Sequence, residues 1–351
     1  MLMKKLFTFL LLTFALNSFA GDTLISDTTD IYKKIDTTYI EDYRDLLNGK
    51  FIVVVRTNKF SIKDNISQSV LEYSINTNAN LGIGFSFRKI SFEFQFNPHG
   101  LNNDDNLYGK SEQFSFGASS NGRKLIYNAY FRYNQGYHTT ARYKVSKDTS
   151  FTYAHLYRPD IENTSIGGEF IYLFNHQRFS SSAPYSLTQR QKKRAGSFLL
   201  GGFFSLYAIT ADSLIFPDSL KSHFTEEVQF KSASSSTLGV AFGYTYTFLF
   251  KKNWFLNLYL LPGLAFQQYN STNALNEQSH ANGAIGGSLQ TRFSLGFNRP
   301  RYFLGISWMN TQHFIDNDKK SSLSYKYGSF RFYCGYRFDL KKVIKRLNYK
   351  T

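Results

Sequence analysis

Large apolar residues alternate with small or polar ones along most of this chain. In residues 238–250, every even position is aromatic or aliphatic, whereas the odd positions are mostly glycine, alanine or threonine. A period of two predicts β-strands with two unlike faces. Several of these segments run past ten residues, the length that a tilted strand needs to cross a bilayer. The fold class predicted is therefore all-β, a transmembrane antiparallel β-barrel. The even positions of the clearest segment are Leu238, Val240, Phe242, Tyr244, Tyr246, Phe248 and Phe250.

Strand parity predicts a barrel of about 12 strands. Tight turns near 88–89, 120–123, 251–253 and 298–301 should face the periplasm, where barrels keep their short turns. Residues 175–195 then become an unusually long periplasmic connection, and the strand-like segment 51–57 (FIVVVRT) is left over. The alternative is a 14-strand barrel that includes 51–57 and 150–157. The predicted strands begin near residues 67, 80, 90, 112, 124, 166, 196, 238, 254, 285, 301 and 325.

The barrel is predicted to cover residues 49–338, with a further segment at each end. Residues 1–20 have the pattern of a cleaved signal peptide, with Lys4 and Lys5 before an apolar run and Ser18-Phe19-Ala20 at the cleavage site. Residues 21–48 are expected to form a short periplasmic segment with a helix near Tyr39–Leu47. Residues 339–351 form a basic C-terminal tail. This organisation predicts export to the outer membrane of a Gram-negative bacterium.

The amino-acid composition limits which binding partners are expected. Aromatic residues make up 18% of the chain although its mean hydropathy is only −0.33. This combination fits a barrel that turns aromatic side chains to lipid and polar ones to its lumen. The formal net charge is +16, which suits anionic partners. Because the chain is secreted, nucleic acid is not expected, and outer-membrane lipid, lipopolysaccharide phosphates, small anions and surface polysaccharide are the candidate partners. The single cysteine, Cys334, cannot form an intramolecular disulfide.

The predicted last strand ends in a pattern of its own. Gly335, Tyr336 and Phe338 resemble the Gly-x-aromatic signal that the barrel-assembly machinery recognises. We therefore expect that machinery to be a partner, although the basic tail after Phe338 departs from the usual pattern.

Several short motifs stand out along the chain. They are Asp36–Ile40 (DTTYI), Leu81–Gly84, Gly136-Tyr137, Arg158-Pro159-Asp160, Phe174-Asn175, Arg178-Phe179-Ser180, Gln191-Lys192, Ala195–Phe198 and Gly335–Phe338. On these residues the chain resembles an uncharacterised outer-membrane β-barrel family of Bacteroidota, domain of unknown function 4421. The resemblance implies a location in the outer membrane and supplies no activity or catalytic residues.

Catalytic and cofactor motifs are not visible in the sequence. None of the seven histidines stands near a serine and a carboxylate in a hydrolase pattern, and most are expected in exposed loops. Gly201-Gly202 and Gly286-Gly287 lie inside predicted strands, so they do not form phosphate-binding loops. The run 189–194 (QRQKKR) could bind anions, but a solvated connection is favoured. We expect no enzyme activity, no metal and no cofactor.

The barrel lumen carries the functional hypothesis. The inward arginines outnumber the acids expected to pair with them (Glu72, Glu93 and Glu169), which suggests a weak preference for anions. The leading hypothesis is a structural element or a narrow, anion-preferring channel. The alternatives are a surface binding or assembly module that uses long extracellular loops and, third, a lipid-modifying enzyme. Inward glycines such as Gly243 are expected to accept a serine. The candidate lumen residues are Arg88, Glu93, Arg132, Arg292, Arg331 and Arg337.

Overall fold

Strands account for almost all the regular structure of the protein. The computed structural model describes residues 35–77, 79–87, 90–96, 104–139, 156–251, 253–317 and 321–339. Within these ranges the helices are short: α1 (Asp105–Tyr108), α2 (Ser182–Tyr185) and two 3₁₀ helices, Asp218–His223 and Glu226–Val228. The strands are β1 (Ile40–Asp42), β2 (Leu47–Asp64), β3 (Val70–Ile75), β4 (Ala79–Phe87), β5 (Ile90–Phe96), β6 (Glu112–Asn121), β7 (Leu125–Thr139), β8 (Tyr157–Leu173), β9 (Gln189–Gln191), β10 (Ala195–Thr210), β11 (Ser232–Phe250), β12 (Trp254–Thr272), β13 (Gln278–Asn298), β14 (Tyr302–Asn317) and β15 (Ser321–Phe338).

Ten strands form a closed antiparallel ring. Their order is β2, β3, β7, β8, β10, β11, β12, β13, β14 and β15, and β15 hydrogen-bonds back to β2. The closing ladder extends from Ser321–Asp64 to Phe338–Leu47, so the first long strand and the last pair over their full lengths. The predicted all-β barrel is confirmed. In the described residues its closed ring contains ten strands, not the predicted 12 or the alternative 14.

Three further strands extend the wall beside the ring. Both β3 and β4 pair with β2, β3 along residues 59–63 and β4 along residues 48–55. Strand β5 continues the sheet from β4, and β6 continues it from β7. Strands β1 and β9 form a separate two-stranded sheet. In the described ranges, one part of the wall is therefore closed by the short strand β3 alone, while β4, β5 and β6 lie alongside it.

The N-terminal part of the fold corrects two predictions. Segment 51–57, left over in the strand count, lies within β2. Its inward residues Ile52 and Val54 are buried, whereas its outward residue Phe51 is exposed. All three are apolar, so the period of two cannot be seen in the sequence there. The helix expected near Tyr39–Leu47 is wrong, because β1 pairs with β9 through partners about 150 residues away in the chain.

The two faces of the barrel differ as the alternation predicted. On β11 the even side chains point outward, and Leu238 and Phe242 are 69% and 56% exposed. Thr245 and Thr247, on the odd positions, are buried inside. Pro262 of β12 interrupts the ladder to β11, whose register passes from Ala241–Gly263 directly to Tyr244–Leu260. Proline has no N–H to contribute, so this gap follows from its chemistry.

Candidate functional site

One end of the barrel is filled by the connection between β10 and β11. We call residues 211–231 the cap. Its apolar side chains are buried against inward-facing residues of β2, β3, β7, β8, β10, β11, β12, β14 and β15 in one cluster. The cap therefore closes this end with an apolar core. Its buried apolar members are Ala211, Ile215, Phe216, Leu220, Phe224, Val228 and Phe230.

Polar contacts hold the cap in place. The Tyr73 hydroxyl donates to the Ile215 carbonyl at 2.5 Å, and the backbone N–H of Thr225 donates to the Asp64 carboxylate at 2.8 Å. Arg158 donates to the Leu214 carbonyl at 2.9 Å and forms an ion pair with Asp160 at 2.7 Å. Each contact joins the cap to a strand of the wall or stiffens the residue that does so.

The opposite end is filled by the connection between β8 and β10. We call residues 174–194 the plug. It nearly coincides with residues 175–195, which the strand count predicted to be an unusually long periplasmic connection. In the plug, the Phe179 side chain packs with inward residues of β7, β8, β10, β11 and β12. The Leu187 side chain packs with inward residues of β12, β14 and β15. The connection is long because it folds back into the barrel.

The strands hold the plug mainly through its backbone. Ser294 donates to the Pro184 carbonyl at 3.0 Å, Asn298 to the Gln189 carbonyl at 3.1 Å, and Arg337 to the Leu187 carbonyl at 2.5 Å. The Tyr185 hydroxyl donates to Asn257 at 2.6 Å, and burial raises the pKa of Tyr185.

The N-terminal strand β1 completes the plug. It pairs with β9, which belongs to the plug, and Arg190 of β9 lies 3.4 Å from the Glu41 carboxylate. Tyr43 follows β1 and stacks under the Arg337 guanidinium at 4.3 Å. Burial, reinforced by the nearby Glu41 carboxylate, raises the pKa of Tyr43 to about 12, so its phenol stays neutral at physiological pH.

Strand β10 connects the two closures. The plug ends where β10 begins at Ala195, and the cap begins just after β10 ends at Thr210. Both closures thus belong to one continuous stretch of chain on either side of a single strand.

Between the closures, one group of polar side chains surrounds Glu169. Arg292 lies 3.1 Å from the Glu169 carboxylate, Gln290 donates to it at 3.1 Å, and Asn128 also donates to it. The Arg292 guanidinium lies 4.9 Å from the centre of the Tyr259 ring. Arg292 is therefore engaged by a carboxylate, an amide and an aromatic ring rather than presented to an open passage.

A second polar group surrounds Glu93. Lys50 lies 2.5 Å and Arg331 3.3 Å from its carboxylate oxygens. Arg56 donates to the neighbouring Gln95. Two cations thus share one carboxylate on this side of the interior.

Arg132 lies between two aromatic rings. Its guanidinium is 3.7 Å from the centre of the Tyr130 ring and 3.6 Å from that of Tyr327. Stacking on both rings fixes the plane of the guanidinium while leaving its positive charge in the interior.

The other predicted site residues have different surroundings. Arg88 lies outside the described residues. Arg337 anchors the plug and contacts Asn298 at 2.9 Å, so it seals the barrel rather than lining a passage. Tyr336 and Phe338 point outward from β15 with their ring centres 4.9 Å apart, while Gly335 faces inward beside Phe303.

Sequence reasoning missed the cap, the plug and two buried histidines. His138 and His313 are buried strand residues, so the expectation of exposed loop histidines is wrong for them. The His313 ring stacks on Tyr325 with centres 4.7 Å apart. A usable signal existed for the cap, whose apolar residues between 215 and 230 are too many for a solvated loop.

The described ranges contain neither a metal-binding group nor a membrane-spanning helix. In those ranges, no group of three histidine, cysteine or acidic side chains could hold a metal ion. None of the helices described there is long and apolar enough to span a bilayer.

Comparison with known proteins gives one family match. The model of a family described as "Domain of unknown function (DUF4421)" matches residues 34–338. No curated protein matches the chain.

Similar solved structures have low sequence identity to this chain. The outer membrane protease OmpT from Escherichia coli is 9% identical, with 85% of this chain and 98% of that chain covered and a TM-score of 0.39. The attachment invasion locus protein Ail of Yersinia pestis is 10% identical over 83% and 99%, with a TM-score of 0.21. The Pseudomonas putida toluene transporter TodX is 8% identical over 84% and 90%, with a TM-score of 0.23. At such values nothing said of those proteins is transferred to this chain.

Proposed function

This chain belongs to the DUF4421 family, and because that description names no activity, we propose a function from the barrel itself: a non-catalytic outer-membrane barrel that is closed to solutes at both ends. The observation that carries the proposal is the pair of packed closures on a single ring, an apolar cap and a plug that buries both apolar and polar side chains. A conducting pore needs a continuous polar path, and each closure interrupts it with buried apolar side chains.

Placement in the outer membrane rests on the outward face. Exposed aromatic and aliphatic side chains cover strands around the ring, including Phe170 on β8, Phe204 on β10, Leu264 on β12 and Phe330 on β15. Soluble proteins rarely expose contiguous apolar surface of this extent. A closed barrel pairs the backbone groups of its ring strands, which is the condition for crossing hydrocarbon with strands. Outer-membrane lipid and lipopolysaccharide are the partners that this surface suits.

A narrow, anion-preferring channel is the second candidate. The interior arginines favour it, since they outnumber the carboxylates beside them. It requires the cap and the plug to move aside, because both ends are filled in this structure. Conductance measurements therefore separate the two candidates.

The test uses planar bilayers and four proteins. One variant replaces 177–188 of the plug with a short Gly-Ser linker, a second replaces 212–230 of the cap in the same way, and a third carries both replacements. We expect the wild type and both single variants to be silent and the double variant to conduct, because either closure alone blocks the path. Conductance by well-folded wild-type protein would overturn the proposal, and anion selectivity would then support the channel. Silence of the double variant would show that these segments are not what closes the barrel.

A further inference from the structure

The wall of the barrel has a seam between β5 and β6. On one side of it β4 pairs with β5, and on the other β7 pairs with β6 from Ile126 to Gln135. In the described part of the sheet, the facing edges of β5 and β6 do not hydrogen-bond to each other. Among the residues that the structure describes, β3 alone closes the ring past this point, and it meets β7 through Tyr73, Ser74 and Ile75.

Strand β6 shows that the seam is open toward the interior. Every residue from Glu112 to Ser120 is exposed, in contrast to the alternating burial of β11. Ser115 is paired with the inward-facing Arg132, so it belongs to the inner face and yet is exposed. A continuous wall would cover that face, so the inner surface of β6 is accessible beside the seam.

Positive charge gathers on the inner side of the seam. We define the seam cluster as Lys50, Arg56, Glu93, Arg132 and Arg331, four cations and one carboxylate. Glu93 is shared by Lys50 and Arg331, and the Arg331 side chain is 36% exposed. The cluster therefore carries a net charge of about +3, and its side chains are only partly exposed, at 12% for Lys50 against 36% for Arg331. This partly exposed charge suits an anionic group such as phosphate or carboxylate.

The outer side of the seam is apolar. Phe94 and Phe96 of β5 point outward and are 62% and 58% exposed, and Phe114 and Phe116 of β6 are 50% and 53% exposed. The seam therefore has cations on its inner side and aromatic rings on its outer side. This arrangement suits a molecule that has an anionic headgroup and hydrocarbon chains. Since the cap and the plug fill the ends of the barrel, such a molecule can reach the cluster through the seam.

We propose that the seam cluster binds the anionic headgroup of a membrane lipid, which enters laterally between β5 and β6 while its acyl chains stay in the bilayer against the phenylalanines. The proposal rests on the closed, membrane-embedded barrel proposed above. It assigns the protein a lipid-binding role whose selectivity comes from the charge of the headgroup.

The test measures lipid retention by the full chain in detergent with native mass spectrometry. Phosphatidylglycerol is the probe, phosphatidylcholine the zwitterionic comparison, and glycerol 3-phosphate the soluble headgroup without chains. Arg56→Gln/Arg331→Gln should weaken phosphatidylglycerol retention about tenfold, because two charge-assisted contacts are lost. The matched control Lys63→Gln/Lys326→Gln removes the same charge from outward positions of the same two strands and should change retention less than about twofold.

A second variant tests the proposal independently, in case the double arginine variant does not fold. Ser115→Trp leaves the charge unchanged and places a large side chain on the inner face of β6, so it should also abolish retention. Equal retention of phosphatidylcholine, equal binding of glycerol 3-phosphate, or an unchanged Ser115→Trp protein would each overturn the proposal. Absence of lipid retention by a silent, membrane-bound wild type would refute the lipid site and leave the closed barrel standing, whereas wild-type conductance would refute the closed barrel.

Discussion

Close backbone approach decides which interior residues can change. The sequence suggested that inward glycines only leave room in the lumen and would accept a serine, and for Gly243 this expectation is wrong. A Cβ atom at Gly243 would lie 2.1 Å from the Leu260 carbonyl oxygen, in the gap that Pro262 makes in the ladder. That constraint depends on the neighbouring strand, so the residues around Gly243 in the sequence could not reveal it.

A pair of glycine variants tests this constraint. Gly243→Ala should lower the free energy of unfolding by about 1–3 kcal/mol, since backbone must shift to admit the new methyl group. Gly287→Ala is the control, because its Cβ would meet nothing nearer than 3.6 Å, and it should change stability by less than about 0.5 kcal/mol. Urea unfolding followed by tryptophan fluorescence in lipid vesicles measures both. Equal losses of stability in the two variants would show that the close approach of the Leu260 carbonyl oxygen does not constrain Gly243.

The ion pair between the buried Arg292 and the partly buried Glu169 makes a second residue-scale prediction. Arg292→Gln should destabilise the barrel by about 3 kcal/mol, the low end for breaking a buried ion pair, because it leaves the partly buried Glu169 carboxylate without its cation. Glu169→Gln/Arg292→Gln should recover a large part of that loss, since it removes both charges. The same unfolding assay on Glu169→Gln, Arg292→Gln and the double variant gives the coupling free energy between the two side chains. Additive losses would show that the two side chains do not depend on each other.

At the level of elements, the sequence predicted strands well where one face was apolar and the other was not. Strands β11 and β13 satisfy this condition. It fails for β2, whose inward Ile52 and Val54 are as apolar as its outward face. The plug has no periodicity at all, because its burial depends on groups from several strands that only ring closure brings together. The pairing of Glu169 with Arg292 could not be predicted for the same reason.

The end of β15 tests the proposed assembly signal. Phe338→Ala should reduce the rate of insertion by the assembly machinery, because the outward Tyr336–Phe338 ring pair ends the last strand. Phe332→Ala is the matched control, since it also removes an outward, 40% exposed ring from β15 but lies away from the terminus. Folded protein per unit time in reconstituted vesicles is the measurement. Equal rates would argue against a signal at Phe338.

For the whole molecule, ring closure predicts behaviour that a soluble protein would not show. The protein should fractionate with the outer membrane and migrate differently on gels before and after boiling, because a barrel whose ring strands are all paired resists detergent until heated. Recovery in the soluble periplasmic fraction, or identical migration of heated and unheated samples, would contradict the membrane assignment.

Strand β10, which lies between the plug and the cap, also has a mechanical consequence. Sixteen register pairs join it to β11 and twelve join it to β8. A pull along the axis on either closure would load these hydrogen bonds together in shear rather than one after another. The plug and the cap are thus attached to opposite ends of one strand that is hydrogen-bonded along its length. A force applied to one of them would be carried by the neighbouring strands of the wall before it reached the other.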